Sequence, residues 1–287
     1  MKKIVSLVVA ALVMCSCADS FLSEEPVGEF MPEQVESEEN IEGIVIGAYA
    51  VLDGYYASDA INSGCSNWQF GDVVSDDAYK GGGGTGDQNQ IHLMEIFNAN
   101  PTGIDFEARW AALYEGVKRC NQAIRLLSNS TVKNKEQRLA EMRFLRGHYY
   151  FNLKVIYNLI PWIDETVVDP NEYHTKSNME FTSDQLWEKI LGEFSAAYQV
   201  LPESQSDYGR PTKMAAKAYM AKVYLYQSKW KECLSACDEV IQSGKYTLYP
   251  DFREVFLPEN DNNSEIIFAV QLSINDGASS NQNGSYG

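Results

Sequence analysis

The sequence predicts an all-α protein in which helical hairpins stack as an α-solenoid and long loops interrupt the stack. Three observations carry this. Apolar residues recur every three or four positions through most of the chain after Glu33. The stretch Pro211–Tyr246 divides into two such helices joined by a tight turn. Two segments, Tyr55–Gly103 and Trp162–Phe181, lose the period and are too long to be idle connections. A helical pair cannot bury its own apolar face, so each pair requires neighbours.

In the second helix of Pro211–Tyr246, Trp230, Cys233, Leu234, Cys237, Val240 and Ile241 share one face at helical spacing. Gly244 ends it, since glycine takes the left-handed conformation there without a Cβ penalty. The first helix carries Met214, Ala218, Ala221 and Leu225, mostly small residues that let two backbones approach. Laid on the tetratricopeptide pattern, Met220 takes the Leu position, Ala221 the first small position and Tyr224 the Tyr. Cys233 takes the second small position and Cys237 the Phe, while Lys217 and Lys245 replace the Trp and Pro. The expected fold is therefore tetratricopeptide-like.

At the other end, residues 1–16 have two lysines followed by an apolar run from Ile4 to Met14, a secretory signal too short to remain as a membrane span. Cys17, preceded by the small Ser16, resembles a bacterial lipoprotein box; Cys15 competes poorly because Met14 precedes it. Lipid attachment at Cys17 is expected, with 17–32 as an acidic, proline-punctuated tether and 33–287 as the helical domain. Ile41, Ile44, Val45, Ala48 and Leu52 then mark a first helix closed by Gly54.

The stretch from Tyr55 to Gly103 holds turn residues, acids and a glycine run. Gly81 and Gly86 have phosphate-loop spacing, but Asp87 stands where the lysine must be and would repel phosphate. Asp72, Asp76, Asp77 and Asp87 could serve a hard cation such as calcium, yet they match no fixed loop. The favoured expectation is an ordered surface loop whose acids cap backbone amides.

Three further helices follow the same logic. Phe106, Trp110, Leu113, Val117, Ile124 and Leu127 define Asp105–Leu127, and Leu139, Met142, Leu145, Tyr149, Leu153 and Ile156 define Lys135–Asn158. Arg143, Arg146 and His148 flank the latter stripe and are expected to pair with carboxylates. Thr182 and Gln185 form a capping-box signature before Leu186, Ile190, Phe194, Ala197 and Leu201, and Pro202 stops that helix. Beyond the hairpin, the EIIFAV run at 265–270 reads as strand-like.

Composition narrows the function. A formal charge of −17 and no Lys/Arg cluster argue against nucleic acid as a partner. Neither G-x-S-x-G nor H-E-x-x-H occurs, and His92, His148 and His174 share no metal-ligand spacing, so no cofactor or metal is expected. Cys233 and Cys237 are expected to be packing thiols, inert to a polar alkylating reagent.

Several passages in order resemble the SusD/RagB family of Bacteroidetes outer-membrane lipoproteins: Cys17 followed by Phe21-Leu22, then FGDVVSDDAYKGGGGTGDQ with Trp110, Tyr114 and Cys120-Asn121. AEMRFLRGHYYFNLKVIYNLIPW, the Leu201-Pro202 to Gly209-Arg210-Pro211-Thr212 entry, SGKYTL and SEIIFAV complete the set. One departure is Asn158, where the family more often has glycine. Family members usually continue well past this length, so the chain resembles the N-terminal half. The resemblance implies a non-enzymatic, lipid-anchored outer-membrane protein facing the exterior, binding oligosaccharide or polysaccharide and delivering it to a SusC-like TonB-dependent transporter. Trp68, Tyr79 and Trp162, aromatic residues in the long loops, are the expected glycan contacts because sugar CH faces stack on rings. Trp110, Trp187 and Trp230 are expected in the core. The alternatives are an interaction scaffold without a small ligand and, less favoured, a surface glycosidase, for which no carboxylate pair stands out.

Overall fold

A computed structural model describes residues 38–54, 68–75 and 77–271; the signal segment, the tether, Cys17 and Cys65 lie outside them. Seven α-helices longer than one turn are described: α1 Glu38–Tyr49, α2 Asn89–Glu95, α3 Ile104–Asn129, α4 Lys135–Tyr157, α5 Ser183–Val200, α6 Lys213–Tyr226 and α7 Trp230–Gln242. From α3 onward each packs on the next, as a solenoid requires, and α1 lies across α3 and α4. No strand occurs among the described residues. The Glu265–Val270 run is not a strand because it meets helices instead: Phe268 sets its edge against the Phe144 ring at 5.1 Å. No described helix is long and apolar enough to cross a membrane.

The helix ends follow their local chemistry. Thr182 Oγ1 accepts the Gln185 amide while the Gln185 side chain accepts the Thr182 amide, closing the expected capping box. Thr212 Oγ1 accepts the Ala215 amide at the start of α6. Gly54 and Gly244 sit at φ +107° and +66°, where a Cβ would be strained. Asn158 takes φ +62° and ψ −70° just past α4, the centre of a γ-turn in which Leu159 N donates to the Tyr157 carbonyl at 2.8 Å. The Asn158 side-chain oxygen accepts from Lys154 Nζ at 2.6 Å.

Helix α4 is the middle layer and is buried nearly all round. Met142, Leu145, Tyr149 and Leu153 of the predicted stripe are fully enclosed, and so are Phe144, Tyr150 and Phe151 on other faces. Two glycines allow this closeness. A Cβ on Gly116 of α3 would lie 2.6 Å from the Tyr149 ring, and one on Gly147 of α4 would lie 2.9 Å from Phe194 of α5.

A helix enclosed on every side must satisfy its polar groups internally. Arg146, 2% exposed, donates two bonds to Glu193 of α5, at 3.1 and 2.8 Å, one to Asn121 of α3 at 2.8 Å, and pairs with Glu165. Burial alone would lower its pKa; Glu193 and Glu165 reverse that and hold the guanidinium above its usual range. Arg143 stands 3.7 Å from Glu193, so both arginines meet carboxylates as expected. His148 does not. Its Nδ1 faces the Tyr219 hydroxyl of α6 at 2.7 Å, and burial with nearby Arg109 and Lys222 lowers the imidazole to about 3.

A second network clamps the solenoid's outer edge. Fully buried Glu141 of α4 accepts from Arg138 at 2.7 Å, from Arg210 at 2.8 Å and from the Tyr49 hydroxyl at 3.0 Å. Arg138 also reaches Glu42 of α1 at 2.8 Å, and Arg210 completes the ring by pairing with the same Glu42.

Helix α7 departs from expectation. Ala236 and Val240 are its buried residues, against α6, while Trp230 is 63% exposed and Leu234 and Ile241 are exposed as well. Leu225 of α6 is likewise exposed. The predicted stripe is wider than the single helix packed on it, so only its α6 edge is covered. Cys233 and Cys237 fall at that edge, half-buried rather than sealed, whereas Cys120 of α3 is wholly enclosed and burial raises its thiol pKa.

Candidate functional site

Two loop-rich regions flank α3. The first, between α1 and α3, was expected to be irregular throughout, but it contains the seven-residue α2, which buries Ile91 and Met94. Two apolar residues three apart are too few to show a period, so only the packing identifies it. Trp68 opens a wide turn over Trp68–Asp72 and is half-buried. Phe70, two residues on, meets Phe106 of α3 edge-on at 5.6 Å and lies under the Arg109 guanidinium at 5.6 Å, which pins the turn to the scaffold.

Tyr79 stands 72% exposed. The next residue turns inward: the Lys80 side chain is 3% exposed, and its ammonium donates to the Gly84 carbonyl at 3.1 Å and to the Asp87 carbonyl. The Lys80 amide donates to Glu95 of α2 at 3.3 Å. The acids of this loop do cap amides, as the sequence suggests: Asp87 Oδ2 accepts from Gly83 N at 3.0 Å. Just past α2, Phe97 is 78% exposed at φ +54°, an uncommon conformation for a bulky side chain. Among the described residues no cluster of three or more His, Cys, Asp or Glu could hold a metal ion.

The second region is the segment after α4. Three bonds stitch Pro161–Ile163 onto the helices: Tyr114 to the Pro161 carbonyl at 2.7 Å, and Asn121 and Tyr150 to the Ile163 carbonyl at 2.9 and 2.7 Å. Burial raises the pKa of both phenols, so they stay protonated donors. Trp162 is only 7% exposed; it stacks on Tyr150 with centroids 4.0 Å apart, and the Lys189 ammonium lies 5.1 Å from its centroid. The structure therefore places Trp162 in the wall of this region and leaves little of its ring to solvent.

Between that wall and α3 lies an open cleft of about 340 Å³, lined by Trp110, Tyr114, Val117, Pro161, Ile163 and Tyr173. Glu115, Lys118 and Asn121 supply its polar edge. Trp110 packs against Tyr114 at 4.7 Å and against the edge of Tyr157 at 4.9 Å, and remains half-exposed on the cleft side. Its expected place was the core. Trp187 does lie there. The missed signal was the i, i+4 pair Trp110–Tyr114 followed by charged Glu115 and Lys118, which a purely apolar contact would not need. Aromatic faces beside a few polar groups suit a ligand with both CH and OH surface.

An all-α stack of helical hairpins with long loop insertions is a fold of the solenoid class. The SusD-like family, described as "starch-binding associating with outer membrane", matches residues 20–225, and the chain belongs to it. The SusD-like protein P25 of Formosa agariphila is 23% identical over 94% of this chain and 52% of its own length. Surface glycan-binding protein A of Bacteroides thetaiotaomicron, solved in complex with laminarihexaose, is 30% identical over 81% of this chain and 49% of its own, with a TM-score of 0.70. A laminarin-binding SusD-like protein is 26% identical over 81% of this chain and 51% of its own, also with a TM-score of 0.70. The chain spans about half the length of the curated relatives it matches.

Proposed function

We propose that this chain binds glycan through the aromatic cleft between α3 and the Pro161–Tyr173 segment, with Tyr79 and Trp68 on the neighbouring loop as further contacts. Trp162 does not line the cleft; stacked on Tyr150, it supports Pro161 and Ile163, which do. The observation that carries this is the half-exposed Trp110 ring in a 340 Å³ cleft with polar groups on one edge, in a member of the SusD-like family. The laminarihexaose complex of a 30%-identical protein supports a β-glucan as the first ligand to try. No catalysis is needed for this role. Asp164 and Glu165, beside the cleft wall, are both held below the usual carboxylate range: burial raises each, but Thr166 bonds with nearby Arg146 and Lys189 lower Asp164 further, and Arg146 with a backbone bond lowers Glu165 further. A general acid requires the opposite shift.

The protein would act on the outer face of the outer membrane, held by lipid at Cys17, and pass its glycan to a SusC-like TonB-dependent transporter. Gel electrophoresis through laminarin and starch tests the binding. Retardation is expected, with Trp110→Ala reducing it about tenfold, the loss of one good stacking contact on a desolvated ring. Normal migration of the folded wild type through every polysaccharide tried would defeat the proposal. The scaffold reading draws on the exposed Trp230, Leu234 and Ile241. It gains if the solubilised protein captures a protein partner but no glycan.

A further inference from the structure

We propose that Lys80 is a built-in counter-cation that sets the shape of the glycine loop 81–87 and thereby fixes the exposed ring of Tyr79. The role given to Tyr79 rests on the glycan reading; the role given to Lys80 does not.

A lysine is rarely buried without a reason, because its ammonium must replace every hydrogen bond it makes to water. Here the replacements are all local. Gly84 and Asp87 turn their carbonyls inward to the ammonium, and the Asp87 carboxylate stands 4.0 Å from it. The loop is built to bend round that point. Gly81, Gly82 and Gly84 all have positive φ, at +72°, +74° and +110°. A Cβ on Gly82 would lie 2.0 Å from Asp87 Oδ2, so the closure of the ring requires glycine at that position.

The same oxygen accepts the Gly83 amide at 3.0 Å, and the Asp87 amide bonds the Gly84 carbonyl at 3.1 Å. A flexible glycine-rich segment is costly to order. Converging carbonyl dipoles repel one another unless a cation sits among them, and Lys80 supplies it from within the chain. Its own amide is held by Glu95 of α2, so the residue after Tyr79 is fixed at both backbone and side-chain ends. Tyr79 itself points its ring to solvent at 72% exposure. The arrangement presents one aromatic ring on a loop that would otherwise be mobile.

Lys80→Ala tests this, because it removes Cγ to Nζ, the atoms of n-propylammonium. Hydrogen exchange of a peptide covering 77–88 is expected to be slow in the full wild-type chain. It should speed up about tenfold in the variant, the cost of losing hydrogen bonds to a charged group. Added n-propylammonium chloride should slow it again; tetramethylammonium chloride at equal concentration, having no N–H, should not. Unchanged exchange in Lys80→Ala overturns the proposal. So does faster exchange that neither salt slows, since that is ordinary loss of packing. Lys80→Met keeps the stem without the charge, and should exchange as fast as Lys80→Ala if the ammonium is what matters.

The binding arm is retardation in laminarin gels. Lys80→Ala should lose it about as far as Tyr79→Ala does, and n-propylammonium should restore the former alone. Equal retardation of wild type and Lys80→Ala refutes the positioning of Tyr79 by Lys80. If wild type and Tyr79→Ala migrate alike, the glycan role of Tyr79 fails, and exchange alone still decides the role of Lys80.

Discussion

Helices α4 and α7 have similar apolar periods and opposite fates. α4 is enclosed by α1, α3 and α5, so even Glu141, Arg146 and Lys154 are buried. α7 meets α6 on one edge and leaves Trp230, Leu234 and Ile241 in solvent. A periodic stripe therefore shows which face calls for a neighbour, not whether one lies there. The burden also differs. α4 depends on fully paired charges and close glycine contacts, while α7 depends on Ala236 and Val240.

The comparison can be broken most decisively at Glu193. Glu193→Ala strands buried Arg146 without its two-bond partner and should cost about 3–5 kcal/mol in urea unfolding. A loss under about 1 kcal/mol would mean that the ion pair contributes little to the central layer. Next is the backbone approach. Gly116→Ala drives a methyl into the Tyr149 ring and should cost about 1–3 kcal/mol. Gly192→Ala on α5, where nothing lies within 4 Å, should instead stabilise by up to about 1 kcal/mol; the same denaturation curves decide both.

The buried imidazole gives a pH signature confined to the α4 side. His148 is lowered to about 3 in the folded protein. The unfolded chain titrates near 6.5 and so binds a proton between these values that the folded chain does not. Stability must therefore fall as pH drops from about 6.5 towards 3, by roughly 1.4 kcal/mol between pH 7.5 and 5.5. His148→Gln should flatten that part of the curve relative to wild type; parallel curves would show that the imidazole protonates freely in the fold. Smallest is the α7 face: Leu234→Ser and Ile241→Ser should each change stability by less than about 0.5 kcal/mol. A larger loss would reveal packing on that face and remove the contrast.

How much was legible in the sequence follows from the same contrast. All five positions picked for α5, Leu186, Ile190, Phe194, Ala197 and Leu201, are buried, because neighbours cover that helix on two sides. Its capping box and the Gly244 stop were legible because they depend on three or four adjacent residues. The cleft was not. It arises where Pro161–Ile163 folds back over 40 residues onto Tyr114 and Asn121, and no local pattern encodes that return. Trp162 looked available because it sits in a loop, yet the return that builds the cleft wall turns its ring inward. Lys80 was overlooked because a lysine beside a glycine run looks solvated until the carbonyls around it are seen.

The clamp of Glu42, Arg138, Glu141 and Arg210 has a consequence for the order in which the chain assembles. Solenoid contacts are local and form as each hairpin emerges. The Glu42–Arg210 pair joins residues 168 positions apart, so it can close only after α3, α4 and α5 are present. Until then Glu141 has only Arg138 of its own helix as a partner cation. The clamp is thus a completion signal: α1 docks fully only on a stack that has reached Arg210. A chain ended before that point should keep its α3–α5 amides protected from exchange and lose protection in α1.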